Sequence, residues 1–120
     1  MSKHALVVED NQEIGKIYKL TLEMADYETE HVLDGKAALE WLETTVPQVV
    51  VLDMNLPQVS GHYLYKKLRA DTRMDNTVVI ISTANTLVAN VLSKELAPQD
   101  HILMKPVSAR QLKDLAEQIP

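Results

Sequence analysis

The sequence predicts an α/β fold, a doubly wound parallel sheet of five strands with helices on both faces. Val49–Leu52 and Val78–Ile81 are apolar runs without alternation, as strands buried on both sides require. Each strand-like segment is followed by one with helical spacing, five times in succession and with connections of ordinary length. Strict alternation of this kind builds a parallel sheet through right-handed crossovers.

The first strand runs from His4 to Val8 and ends in Glu9, Asp10 and Asn11. Asn11 is suited to cap the next helix, whose apolar positions Ile14, Ile17, Tyr18, Thr21 and Ala25 recur at helical spacing. Tyr27–Val32 alternates as a second strand, and Asp34-Gly35 marks a turn. Ala38, Leu39 and Leu42 form the inward stripe of a second helix, and Pro47 breaks the chain before the third strand. A loop from Met54 to Ser60 leads to a third helix over Gly61–Arg69, with Leu64 and Leu68 one turn apart, and then a polar turn through Asp71, Arg73 and Asp75. The fourth strand, Val78–Ser82, ends in Thr83-Ala84-Asn85. A helix over Leu87–Leu96 is expected next, with Pro98 stopping it, before a short strand Ile102–Met104 that leads into Lys105-Pro106. Ser108 caps a last helix with Leu112, Leu115, Ala116 and Ile119 inward.

A chain of 120 residues suits one domain, spanning 1–120, with a core that needs no staples. With 46% hydrophobic and 24% charged residues it has the composition of a soluble globular protein, and no apolar run approaches a membrane span. Neither a signal pattern nor a targeting tail is visible, so a cytoplasmic location is expected, without membrane partners. Having no Cys, the chain has no disulfide and no thiolate metal site. A net charge of -5, with Lys and Arg scattered, argues against direct nucleic-acid binding. The four histidines (His4, His31, His62 and His101) have no regular metal-ligand spacing and read as surface or edge residues. Trp41 reads as partly buried. Leu87, Val88, Val91, Leu92 and Leu96 make the fourth helix more apolar than one buried stripe needs, which leaves open a partner face or ordinary core with scattered surface residues.

In the expected architecture all strands open at their C-terminal ends onto one edge of the sheet, where such folds keep their chemistry. Glu9, Asp10, Asp53, Thr83 and Lys105 gather there. An isolated Leu-Asp could merely cap a turn, but Asp53 has company. Neighbouring carboxylates repel by roughly 4 kcal/mol per pair at about 4 Å and an effective dielectric near 20, so a cation is required. Lys105 supplies one charge. A hard divalent ion suits the rest, and Mg²⁺ fits best because it uses few carboxylates, keeps waters and often binds a phosphoryl oxygen. Asn55 can add its backbone carbonyl. A metal, an ammonium and a hydroxyl around one carboxylate suit phosphoryl transfer, with Asp53 as nucleophile.

These residues carry a resemblance over the whole chain to response-regulator receiver domains. Its elements are Glu9-Asp10, the Val51-Leu52-Asp53-Met54-Asn55-Leu56-Pro57 stretch, Gly61 before a helix ending Leu68-Arg69, Ser82-Thr83-Ala84 and Met104-Lys105-Pro106. The resemblance implies a flavodoxin-like sheet of order 2-1-3-4-5 and a two-component signalling switch rather than an enzyme. Asp53 is then the phosphoacceptor from a histidine kinase or phosphotransfer protein of a phosphorelay. Glu9 (mostly through water), Asp10, Asp53 and the Asn55 carbonyl hold Mg²⁺, Thr83 bonds the phosphoryl group and Lys105 pairs with it. The Lys105-Pro106 peptide is usually cis in this family. The output implied is a change at the surface of the fourth helix, fifth strand and fifth helix that controls an effector protein, an output domain or a homodimer through that face. One departure stands out: the family commonly has Tyr or Phe three residues before the strand-five lysine, and here that residue is Ile102.

Rival readings differ at particular positions. A mononucleotide binder of the same fold needs a phosphate cradle after the first strand, where this chain has Glu9-Asp10. An Asp-nucleophile phosphatase of the haloacid dehalogenase type needs an acid two residues after the nucleophile, where Asn55 stands. A degenerate receiver that docks partners without phosphorylation is opposed by the intact Glu9, Asp10, Asp53, Thr83 and Lys105.

Overall fold

Every helix begins on a side chain that accepts a hydrogen bond from its first turn, satisfying a donor the helix cannot satisfy itself. Asn11 caps α1 (Gln12–Met24), Asp34 caps α2 (Gly35–Thr44), Ser60 caps α3 (Gly61–Ala70), Asn85 caps α4 (Thr86–Ser93) and Ser108 caps α5 (Ala109–Glu117). The structure is a computed structural model that describes residues 3–120. Between the helices run β1 (Lys3–Val8), β2 (Tyr27–Val32), β3 (Val49–Asp53), β4 (Val78–Thr83) and β5 (His101–Met104), with a 3₁₀ turn at Thr72–Met74.

All strand pairs are parallel and the sheet order is β2-β1-β3-β4-β5, as expected. The chain moves outward from β1 to β2 and then crosses back to the other side of β1, so the crevice of the fold opens between the ends of β1 and β3. Successive strand residues point to opposite faces, and both faces are covered. Ala5, Val7, Val51 and Ile80 pack with Tyr18 and Leu22 of α1 and Leu112 and Ala116 of α5. Leu6, Val50, Leu52, Val79 and Ile81 pack with Ala38 and Leu42 of α2, Leu64 and Leu68 of α3, and Leu92 of α4. The unbroken apolar runs of β3 and β4 follow from this double burial.

Two local expectations are corrected. Ile17 is 52% exposed rather than inward. Gly15, Tyr18, Thr21 and Leu22 form the buried side of α1, with Ile14 and Ala25 partly buried against the same core, and Ile17 falls outside that arc. The fourth helix ends at Ser93, not Leu96, and Pro98 does not end it. Its last turn tightens as the Glu95 and Leu96 N–H groups both bond to the Leu92 carbonyl, after which the Ala97 N–H donates to the Tyr65 hydroxyl at 2.9 Å. A tertiary bond thus takes the backbone out of the helix before the proline is reached.

That hydroxyl belongs to a buried polar network at the edge of the sheet opposite the crevice. Tyr65 donates to Asp100 Oδ2 at 2.7 Å, the Val79 N–H donates to Asp100 Oδ1 at 2.8 Å, and Arg69 Nε lies 3.7 Å from Oδ2. Burial, followed by the bond to Asp100, pushes the Tyr65 hydroxyl up to about 12. Arg69 also donates to the Met74 and Thr77 carbonyls. Asp100→Ala would strand Tyr65, Val79 and Arg69 together and is expected to cost about 3 kcal/mol in urea unfolding, against about 1 kcal/mol for Tyr65→Phe. Equal costs for the two variants would mean that Asp100 does not hold this edge together.

Candidate functional site

The ends of the strands bring the site together. Asp53 closes β3, Thr83 closes β4, Glu9 and Asp10 follow β1, and Lys105 follows β5. The sheet ladder continues one step past the strands: the Glu9 N–H bonds to the Val32 carbonyl at 3.1 Å, Met54 N–H to Ser82 at 3.1 Å, and Lys105 N–H to Thr83 at 2.8 Å. Gly61 sits where the β3–α3 loop returns. A Cβ there would lie 2.5 Å from the Asp53 carbonyl oxygen and 2.7 Å from Met54 Cα, so only glycine lets α3 start this close to the cleft. In the same loop Gln58 takes a left-handed φ of 65°, and the Val59 N–H bonds to the Pro57 carbonyl at 2.7 Å.

Glu9 is 1% exposed and Asp53 2% exposed, whereas Asp10 is open to solvent. One carboxylate oxygen from each of the three lies within 4.8 Å of the others. The Lys105 ammonium bridges the buried pair, 3.2 Å from Glu9 Oε1 and 3.3 Å from Asp53 Oδ1. Two backbone donors assist it: Asn55 N–H to Asp53 Oδ1 at 3.0 Å and Asn11 N–H to Glu9 Oε2 at 3.2 Å. The Thr83 hydroxyl oxygen accepts from the Asn85 N–H at 3.1 Å, which leaves its own proton free to donate elsewhere. The Lys105-Pro106 peptide is cis.

Burial pushes the Glu9 carboxyl up to about 7, with the Asp53 charge adding to it against the Asn11 N–H and Lys105. Burial works against the Lys105 ammonium too, but Asp53 and Glu9 outweigh it and hold its pKa above the ordinary lysine value. One lysine therefore does not neutralise the cluster. Clustered carboxylate oxygens with surplus negative charge fit a hard divalent cation with oxygen ligands.

Every sequence-predicted site residue lies in or beside this cleft. Glu9, Asp53 and Lys105 meet directly, Asp10 brings a carboxylate oxygen within 4.8 Å of those of Glu9 and Asp53, Asn55 joins through its N–H, and Thr83 borders an open groove. That groove, about 650 Å³ in volume, runs from Asn55 and Thr83 to Leu87, Val88 and Val91 of α4. Leu87 is 73% exposed and Val91 60% exposed, while Leu92 alone in α4 is buried. Ile102 packs against the core beside the same helix layer. Sequence reasoning missed His31, whose Nε2 lies 2.8 Å from the Glu9 carbonyl oxygen. The available signal was Gly15, a glycine in the first turn of a helix that asks for a close neighbour.

A doubly wound parallel domain whose strand ends converge on a lysine-bridged acidic cluster has the architecture expected of a receiver domain. The chain belongs to the response regulator receiver domain family, which residues 5–117 match. It is 32% identical over 112 residues to the alkaline phosphatase synthesis transcriptional regulatory protein PhoP of Bacillus subtilis, an alignment covering 93% of this chain and 46% of PhoP. The chain thus spans less than half of that relative. Among solved structures it is similar to the chemotaxis response regulator CheY4 of Vibrio cholerae, with TM-score 0.87, 23% identity and full coverage of both chains. It is similar also to the receiver domain of the sensor histidine kinase PA1611 of Pseudomonas aeruginosa, with TM-score 0.83, 23% identity and 99% and 98% coverage. In that protein a magnesium ion is coordinated in the active site cleft. No helix among the described residues is long and apolar enough to cross a membrane.

The Glu9 carboxyl sets a pH dependence. Its ordinary value of 4.5 applies to the unfolded chain, and about 7 to the fold. Between these limits the folded state keeps a proton that the unfolded state has lost, so stability falls as pH rises through that window. In chelated buffer the loss from Glu9 is expected to be on the order of 2 kcal/mol, and Glu9→Gln should flatten the slope. An unchanged slope in Glu9→Gln, followed by urea unfolding from pH 4.5 to 8, would assign the dependence to another group.

Proposed function

We propose that residues 1–120 form one receiver unit that switches on phosphorylation of Asp53, as a signalling module rather than an enzyme. The observation that carries the proposal is the Lys105 ammonium held between Glu9 and Asp53 at the strand ends. Asp53 Oδ1 is engaged by Lys105 and by the Asn55 N–H, and Oδ2 is the oxygen without a donor among the described residues. Oδ2 attacks the phosphorus of a phosphohistidine on a histidine kinase or phosphotransfer protein. The O–P bond forms as the P–N bond breaks, and the departing imidazole nitrogen takes up a proton. Glu9, Asp10, Asp53 and the Asn55 carbonyl would hold Mg²⁺, which when bound neutralises charge on the phosphoryl oxygens. The Lys105 ammonium moves from carboxylates to the phosphoryl group, and the free Thr83 proton donates to one of its oxygens. Ile17 and Pro106, beside the cleft on α1 and after β5, offer apolar contact area to the donor protein.

The residues two beyond Asp53 and Thr83 are Asn55 and Asn85, and neither amide is a general base near neutral pH. Hydrolysis of the acyl phosphate accordingly does not draw on their ionisation. The signal leaves through α4. Drawing the Thr83 hydroxyl toward the phosphoryl group releases the Asn85 N–H and pulls on Ala84–Thr86, which lead directly into α4. Ile102 has no hydroxyl to present at the surface and fills space by rotamer change alone. The readers of the altered face are an effector protein, an output domain, or a second copy meeting it through α4, β5 and α5. A cytoplasmic setting suits such a switch.

Incubation with a small acyl-phosphate donor and Mg²⁺ should add one phosphoryl mass, and Asp53→Asn should abolish the gain. A phosphoryl group mapped only to another residue would overturn the assignment. Amide chemical shifts compared with and without a phosphoryl mimic should move most from Ala84 to Val91 and little at Ile102 and Leu103. A response confined to the acidic loops would remove α4 as the output.

A further inference from the structure

The backbone on either side of Asp10 is pinned, although its carboxylate is not. Asp10 is exposed, and no hydrogen bond or ion pair among the described residues holds its side chain. The peptide that follows it is fixed by the Asn11 N–H bonding to Glu9 Oε2 at 3.2 Å. The peptide that precedes it is fixed by His31, whose Nε2 lies 2.8 Å from the Glu9 carbonyl oxygen. A carbonyl only accepts, so Nε2 carries the proton in this contact. Peptide groups are planar, and the direction in which Asp10 leaves the chain is set by the two planes that flank it.

His31 reaches that carbonyl because of Gly15. Parallel pairing sets His31 opposite Val7, one residue before Val32, whose carbonyl takes the Glu9 N–H. The ring then lies over α1, in space that any other residue at 15 would fill: a Cβ on Gly15 would fall within the imidazole, against Cε1 and Nε2. Glycine within a helix costs up to about 1 kcal/mol relative to Ala, and the three atoms nearest to a Cβ at Gly15 all belong to the His31 ring.

We propose that His31, seated over Gly15, is a positioning residue of the acidic pair, holding the Glu9–Asp10 peptide so that Asp10 faces the cation held with Asp53. This inference rests on reading the cleft as a divalent-cation site. It is a property of the Gly15 and His31 pair in this chain, distinct from the ligands themselves.

Mg²⁺ titrations by calorimetry, following Asp10 and Asn11 amide shifts in parallel, test it on wild type, His31→Ala, His31→Gln and Gly15→Ala. Partners behind metal ligands commonly change affinity by about 10-fold or more, and a weakening of that size is expected for both His31→Ala and Gly15→Ala. Gln can place an amide N–H near the position of Nε2, so His31→Gln should return affinity to within about threefold of wild type. Unfolding midpoints in chelator separate folding from binding, since a ring that only packs would lower the midpoint and leave the dissociation constant alone. Wild-type affinity in His31→Ala and Gly15→Ala, or a His31→Gln as weak as His31→Ala, overturns the inference while the cation site stands. A wild-type protein that does not bind Mg²⁺ removes both.

Discussion

One ammonium shared by two buried carboxylates is the constraint to which the other features of the cleft answer. β5 and β3 are two strand spacings apart, about 10 Å, so a lysine that follows β5 reaches Asp53 only by lying across the end of β4. The strand it crosses ends in small residues, Ser82 and Thr83, and Ala84 follows it. Reaching Glu9 as well requires β1 to stop level with β3, which the register of Val8 with Leu52 provides. Sheet order, strand length and the small residues at the end of β4 are thereby tied to a single charge contact.

The same contact leaves the cluster under-neutralised. Burying a carboxylate is costly unless its charge is matched, and Lys105 has to serve Glu9 and Asp53 at once while Asp10 stands open beside them. The raised Glu9 carboxyl is the result: burial, with the Asp53 charge, disfavours its ionised form more than the Asn11 N–H and Lys105 favour it. An arrangement tuned for packing alone would have an apolar residue at position 9. Stability is given up at one strand end to keep buried charge in the cleft.

The sequence made the sheet and the cleft legible for a simple reason: apolar runs without alternation mark doubly buried strands, and the polar residues that interrupt them mark the strand ends. Glu9, Asp53, Thr83 and Lys105 fall at one edge on sequence grounds alone, because parallel strands share a direction. What could not be read depends on contacts between distant segments. Ile17 matches the helical period as well as its neighbours do, but it falls outside the arc that α1 buries against the sheet and α5. The end of α4 is set by the Tyr65 hydroxyl, from a helix more than twenty residues earlier, so local signals pointed instead to Pro98. His31 has no metal-ligand spacing and reads as an edge residue, which it is, but its bond to Glu9 exists only once β2 lies beside β1.

The Tyr65 and Asp100 network also gives α4 unequal ends. At the C-terminal side the chain is fastened at Ala97 by a hydroxyl and at Asp100 by three partners, whereas at the N-terminal side Leu87 stands in solvent over an open groove. A rod fastened more firmly at one end than at the other turns about the firmer end. Eight helical residues span about 12 Å, so a turn of about 10° around the fastened end carries the far end about 2 Å while the end beside the fulcrum barely moves. A shift entering from the Thr83 end would therefore be largest at that end and smallest at Ala97, in a part of the molecule that touches neither Asp53 nor the acidic loop.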